Sequence, residues 1–265
     1  MRYILIALLC LLLCQFAQKK TDRFTLSKVA TQLLEAPCSE VDERLLDQSF
    51  TYLGKGGQSY VFASDDGQYV LKVFRSSRLK ILQLLSHFSS HFSVKKEKLE
   101  EEMRQTLESY QLAFEELKEE TALVAVHLDR HEELHGTLSI IDNLKIRHTM
   151  DPNLIPFVIQ RRATLVKEKM KENPSKTHFE SLLTLLRAKK EAGIEDSDPN
   201  LSKNFGFIGD RAVQIDPGRF TRTGSLNLDR LKESKDDFQH FLNAHHPELS
   251  NDFNTLFEEF FREAI

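Results

Sequence analysis

Two stretches carry residues arranged for phosphate chemistry. Gly54-Lys55-Gly56-Gly57-Gln58-Ser59 sits between runs of strand-forming residues, and Val70-Leu71-Lys72-Val73-Phe74 follows as a third run with a lysine at its centre. A glycine-rich turn lets backbone amides approach phosphate oxygens without side-chain obstruction, and a lysine on a neighbouring strand supplies a cation to the same oxygens. The plain alternative is a glycine-rich hairpin carrying a solvated lysine. Two further motifs need weighing. Asp216-Pro217-Gly218 taken alone is an ordinary turn. His131-Glu132-Glu133-Leu134-His135 fits H-E-x-x-H, which on a helix puts two imidazoles on one face for zinc with a glutamate as base. The residues before it alternate as a strand does, Gly136 stops any helix at once, and a polar strand connection is the simpler reading.

The glycine loop followed by Val-Leu-Lys-Val resembles the protein-kinase-like superfamily, whose pattern is G-x-G-x-x-G-x-V and then V-A-I-K. Ser59 stands where the family has its third glycine. The resemblance demands a catalytic loop ending in Asn, then a hairpin, then Asp-x-Gly. Asp196-Ser197-Asp198-Pro199-Asn200-Leu201-Ser202-Lys203-Asn204, then FGFIGDRAVQI, then Asp216-Pro217-Gly218 meet that demand in order and spacing. It implies ATP and Mg²⁺ as cofactors, with Gly54, Gly56, Gly57, Ser59 and Lys72 around the nucleotide and Asn204 and Asp216 on the metal. Such hard oxygen donors suit Mg²⁺, which keeps room for water and phosphate. It also implies Asp198 as the catalytic base, Glu108 on a long helix as the partner of Lys72, and Gln160 and Arg161 in a hinge meeting adenine. Asp196 competes with Asp198 as base, and Glu101, Glu102 and Glu115 compete with Glu108. Two departures stand out. Asp196-Ser197-Asp198 replaces the family's His-Arg-Asp, and Asp198 lies six residues before Asn204 where the family has about five. The acceptor of the phosphoryl group, whether a small molecule, sugar, lipid or protein, is not legible.

Elements must place these residues. Residues 25–48 read as two short amphipathic helices split at Pro37, and Ser49 to Arg75 as three antiparallel strands with an Asp66-Gly67 hairpin. Apolar residues at helical spacing predict a helix over 79–92 and a longer one from Leu99 to about Glu120. Ala122 to Leu128, Thr137 to Arg147 and Ile155 to Gln160 read as strands, and helices follow over 163–171 and 178–192. A second hairpin turns at Gly209-Asp210, and the tail from Leu226 is helical with a phenylalanine-rich core face. The expected class is α+β: a two-lobed kinase-like fold with an antiparallel sheet N-lobe and a reduced, mainly helical C-lobe. The lobes are expected over 49–159 and 160–265, after a hydrophobic segment at 1–20 and a helical extension at 21–48.

Composition sets outer bounds. With 265 residues, 40% hydrophobic and 29% charged, the chain has the make-up of a folded protein. A formal charge of −4 gives no general attraction to nucleic acid. Three cysteines, two of them in the N-terminal run, exclude a disulfide framework. Residues 3 to 17 form an apolar run that reads either as a membrane anchor, leaving the domain cytoplasmic beside Lys19, Lys20 and Arg23, or as an export signal. Two function classes follow: an ATP- and Mg²⁺-dependent phosphotransferase, or a pseudokinase that binds nucleotide and serves as a protein-interaction module.

Overall fold

The computed structural model describes residues 40–76, 90–129 and 133–264, together with residues 3, 6, 10, 12, 15, 16, 18, 21, 22, 24–31, 33–35, 79 and 82. Most of the N-terminal apolar run, most of the helix expected over 79–92 and the His131-Glu132 pair lie outside the described residues. Among the described residues no helix is long and apolar enough to cross a membrane. The fold is α+β, and the chain divides into two units, residues 1–103 with 125–159 and residues 104–124 with 160–265.

In the first unit β1 (Ser49–Lys55), β2 (Ser59–Ser64) and β3 (Tyr69–Phe74) form an antiparallel meander. Tyr60 and Phe62 of β2 and Leu71, Val73 and Phe74 of β3 are fully buried, and the last four residues of β3 are buried on both faces of the sheet. The β2–β3 turn closes on Gly67, whose φ of 71° favours glycine, while Asp66 accepts from the Gln68 amide. Three of the remaining strands, β4 (Leu123–His127), β5 (Leu138–Ile141) and β6 (Arg147–Met150), precede β7 (Phe157–Arg161). Among the described residues the sheet order is β4-β7-β3-β2-β1-β5-β6. The sheet departs from the antiparallel expectation because β1 pairs with β5 in parallel. The stretch expected as one strand over Thr137 to Arg147 is the β5–β6 hairpin, turned by Asp142, whose carboxylate accepts from the amides of Leu144 and Ile146. Among its described residues the N-terminal extension holds no α-helix, against the pair expected. It holds 3₁₀ turns at Leu26–Lys28 and Glu43–Leu46, and described amides between them are spent on the unit's own strands: Ala30 donates to Phe74 and Glu40 to Val126. Backbone groups satisfied that way cannot also close helical turns.

Helix α1 (Ser90–Glu116) starts in the first unit and ends in the second, where α2 (Lys118–Thr121) follows. The second unit continues with β8 (Thr164–Leu165), α3 (Val166–Glu172), α4 (Lys176–Glu191) and β9 (Ile194–Asp196). Hairpin β10 (Phe205–Ile208) and β11 (Arg211–Gln214), strand β12 (Phe220–Arg222), α5 (Leu228–His245) and α6 (Pro247–Ala264) complete it. Ser175 caps α4 by accepting from Thr177, and Asn227 caps α5 by accepting from Arg230. Phe179, Phe238, Phe253 and Phe257 are fully buried between α4, α5 and α6, with Phe179–Phe253 and Phe238–Phe253 ring centroids 5.0 and 5.3 Å apart. The second half of α1 belongs here, and not with the sheet lobe expected to hold it, because its side chains bond residues of this unit. Tyr110 reaches Asp216, and Glu116 pairs with Arg222.

Candidate functional site

The first unit holds the glycine loop. Gly56 N–H donates to Ser59 O at 2.9 Å, which closes the β1–β2 turn. Arg75 braces it, donating from Nη1 to Gly56 O at 2.9 Å and Gly57 O at 3.3 Å while its guanidinium lies over the Tyr60 ring. A Cβ on Gly54 or Gly57 would meet nothing within 4 Å, and neither glycine has positive φ. Neither backbone strain nor neighbouring atoms therefore require glycine at these two positions; the room above the loop is what a side chain would occupy, which fits close approach of a phosphate. Ser59 is buried, and Lys72 on β3 is only 7% exposed, so its ammonium stem runs through the unit's interior.

Glu108, the residue expected to hold Lys72, falls in the second unit, while Lys72 falls in the first. Glu108 is exposed on α1 and forms an ion pair with Arg104, one turn earlier. That solvated i,i+4 pair gives Glu108 a helix-surface role. Glu101 is half-buried and lies within the residues of the first unit, as Lys72 does. The residues expected to form the hinge lie at the end of β7. Gln160 is buried, with Nε2 donating to the carbonyls of Thr121 and Gln214, and the Arg161 amide already donates to Ala122 O at 2.9 Å. The Gln160 side chain and the Arg161 amide are thus satisfied within the protein itself.

The second unit gathers the acidic motifs. The β10–β11 hairpin pairs Phe205 with Gln214, so the residues just outside it, Asn204 and Ile215, meet at its base. Asn204 O accepts from the Ile215 amide at 2.8 Å and the Asp216 amide at 3.4 Å. Twelve residues of separation thus collapse to adjacent backbones because the intervening chain is a two-stranded hairpin turned at Gly209, whose φ is 62°. Asn204 Nδ2 donates to Asp198 O at 2.7 Å, which orients the amide. Asp216 Oδ1 accepts from the Tyr110 hydroxyl at 3.3 Å and the Gly218 amide at 3.4 Å. Burial, reinforced by the Asp216 carboxylate, pushes the Tyr110 phenol well up, so it stays a neutral donor. Ser109 fastens the same turn: its Oγ donates to Pro217 O and accepts from Phe220 N–H at 2.6 Å.

Asp198 and Asp196 differ sharply. Asp196 is 3% exposed and bound to Lys189 Nζ at 3.0 Å and Gln214 Nε2 at 2.5 Å, so it is not an accessible base. Asp198 is exposed and lines a cleft of about 160 Å³ together with Asn200, Arg230, Ser234 and Asp237. Its backbone is held on both sides, the amide by Asp196 Oδ1 at 2.9 Å and the carbonyl by Asn200 and Asn204. Sequence reasoning missed Tyr110, Ser109, Lys189 and Gln214. Their signal is weak: each is one residue on a helix or strand with no motif around it.

Among the described residues, neither Asn204 Oδ1 nor Asp216 Oδ2 takes a hydrogen bond. An amide oxygen and a carboxylate oxygen, carried on backbones that are hydrogen-bonded to each other, are the kind of hard donors that Mg²⁺ takes.

No family model matches the chain, and no curated protein matches it. Among solved structures it is similar to the Rv3197–erythromycin complex from Mycobacterium tuberculosis, at 15% identity and a TM-score of 0.38 over 68% of this chain and 51% of that one. It is also similar to vaccinia related kinase 3, at 10% identity and a TM-score of 0.31 over 78% of this chain and 56% of that one. The chain spans about half the length of these two structures. Superpositions at this level carry no weight for function, which is argued from the side chains.

Proposed function

We propose that this chain is an ATP- and Mg²⁺-dependent phosphotransferase of kinase-like fold acting on a hydroxyl acceptor. The observation that supports it most is the base of the β10–β11 hairpin, where Asn204 and Asp216 are hydrogen-bonded neighbours and the Asn204 amide grips the backbone of Asp198. Lys72 and the glycine loop hold the phosphates, and Asn204 with Asp216 hold Mg²⁺. The metal, when bound, neutralises charge on the phosphate oxygens. Asp198 accepts the proton of the acceptor hydroxyl as its oxygen attacks the γ-phosphorus, and the bond to the β-phosphate oxygen breaks to release ADP. Positioning and charge account for the catalysis. Residues 3 to 17 anchor the chain to a membrane, with the domain on the cytoplasmic side where ATP is supplied.

A nucleotide-binding pseudokinase is the second reading, favoured by the Asp196-Ser197-Asp198 sequence and by the Glu108–Arg104 pair. Thermal stabilisation by Mg²⁺–ATP, run beside single-turnover phosphate release or transfer, separates the two. Asp216→Asn and Lys72→Ala lower the stabilisation, while Asp198→Asn keeps it and abolishes turnover. Wild type that binds without turnover, with Asp198→Asn indistinguishable from it, replaces the enzyme with the pseudokinase. Wild type that binds no nucleotide removes both.

A further inference from the structure

The second unit hides a cation that the proposed chemistry does not use. Lys189, near the C-terminal end of α4, is 1% exposed; its Nζ donates to Asp196 Oδ2 at 3.0 Å and Gln214 Oε1 at 2.7 Å, and it lies 4.5 Å from the Phe220 ring centroid. Gln214, wholly buried on β11, returns Nε2 to Asp196 Oδ2 at 2.5 Å, so the three side chains close a ring of hydrogen bonds. Burial pulls the Lys189 ammonium below its ordinary range, opposed by Asp196. Desolvating two charges this fully is poor economy for stability alone, since apolar side chains of similar volume fill such space at least as well.

The ring touches both functional loops. Asp196 Oδ1 accepts from the Asp198 amide at 2.9 Å, and Gln214 Nε2 lies 3.4 Å from Asp216 O. We propose that Lys189, Asp196 and Gln214 are a positioning network that fixes the proposed base Asp198 in register with the proposed metal ligand Asp216. It does so where the resemblance would place His-Arg ahead of the base. The inference rests on the phosphotransfer reading for its catalytic meaning. Lys189 holds the Asp196 carboxylate in one rotamer; Asp196 then holds the Asp198 amide, and Gln214 carries the same constraint to the Asp216 turn.

The decisive variant is Lys189→Met/Asp196→Leu/Gln214→Leu, which removes the whole network together and leaves no charge stranded. The full-length protein is assayed for urea midpoint, Mg²⁺–ATP turnover with water or an acceptor panel, and amide exchange at Asp198. The network role gives a midpoint near wild type, an unchanged KM for ATP and a kcat lower by about 100-fold, the scale of a displaced catalytic group. Exchange at Asp198 quickens by about tenfold as its amide loses its acceptor. A triple variant with wild-type kcat and wild-type exchange overturns the inference and leaves the network purely structural. If the triple variant does not fold, Gln214→Met, which keeps the Lys189–Asp196 pair, takes its place: a fall in kcat at constant KM supports the role and an unchanged kcat overturns it. Wild type without turnover removes the phosphotransfer reading, and exchange at Asp198 then decides the network by itself.

Discussion

Ser109→Ala tests whether the Asp216 turn is held from α1. Ser109 is 2% exposed and serves two backbone groups, donating to Pro217 O and accepting from Phe220 N–H at 2.6 Å. Alanine removes both bonds. Phe220 N–H also lies 3.3 Å from Pro217 O, so the two groups keep each other as a weak partner and escape the full penalty of burial unpaired. Two ordinary net hydrogen bonds, at about 1 kcal/mol each, put the loss at about 2 kcal/mol, with a few tenths returned by alanine's better helix propensity. For a domain of 150–250 residues that is about 4–8 °C in Tm. Urea unfolding gives the energy. Gln111→Ala, on the same helix and bonded only to exposed Glu115, is the control and shifts stability by less than about 0.5 kcal/mol. Because the freed turn carries Asp216, stabilisation by Mg²⁺–ATP falls too, while that by nucleotide without metal changes less. A Ser109→Ala protein within about 0.5 kcal/mol of wild type refutes the account of the turn. One that is destabilised yet keeps the full Mg²⁺ effect breaks the link from Ser109 to Asp216.

Two other outcomes follow from the coordinates. Gly206→Ala puts a Cβ 2.7 Å from Thr164 O and 3.1 Å from Ala163 Cβ, so the β8–β10 contact must open; we expect a loss of about 1–3 kcal/mol by urea unfolding, and an unmoved midpoint contradicts this packing. His127 is fully buried, and desolvation lowers its pKa, opposed by Asp129; the unfolded chain therefore binds more protons as pH falls below about 6.5. Stability is full above that pH and declines below it until the lowered pKa is passed, by at most about 1.4 kcal/mol per pH unit. His127→Leu flattens this part of the pH–stability curve, and a slope identical to wild type assigns it to other groups.

The sequence by itself determines what short-range physics controls. The meander over Ser49 to Phe74 follows from runs of β-branched and aromatic residues and from the Asp66-Gly67 turn, and the β10–β11 hairpin from Gly209, because each depends on neighbours a few residues away. The Asn204–Asp216 pairing is legible for the same reason: a hairpin of known length returns the chain to its start. The Glu108–Arg104 pair, one helical turn apart, is read from the folded helix and not from the motif that singled out Glu108. Elsewhere the deciding partner is distant in the chain. Residues 25–48 have helical periodicity, yet their amides find carbonyls of β3 and β4 instead, and β1 takes β5 as a parallel neighbour across a separation of about 90 residues. Lys189 reads in sequence as one more solvated cation on an amphipathic helix. Only the folded second unit, which stacks Phe205 and Phe220 around it and brings Asp196 and Gln214 within 3.0 Å, makes it a buried charge. Burial and long-range pairing are properties of the whole packed chain, set by which apolar faces meet, and no local pattern encodes them.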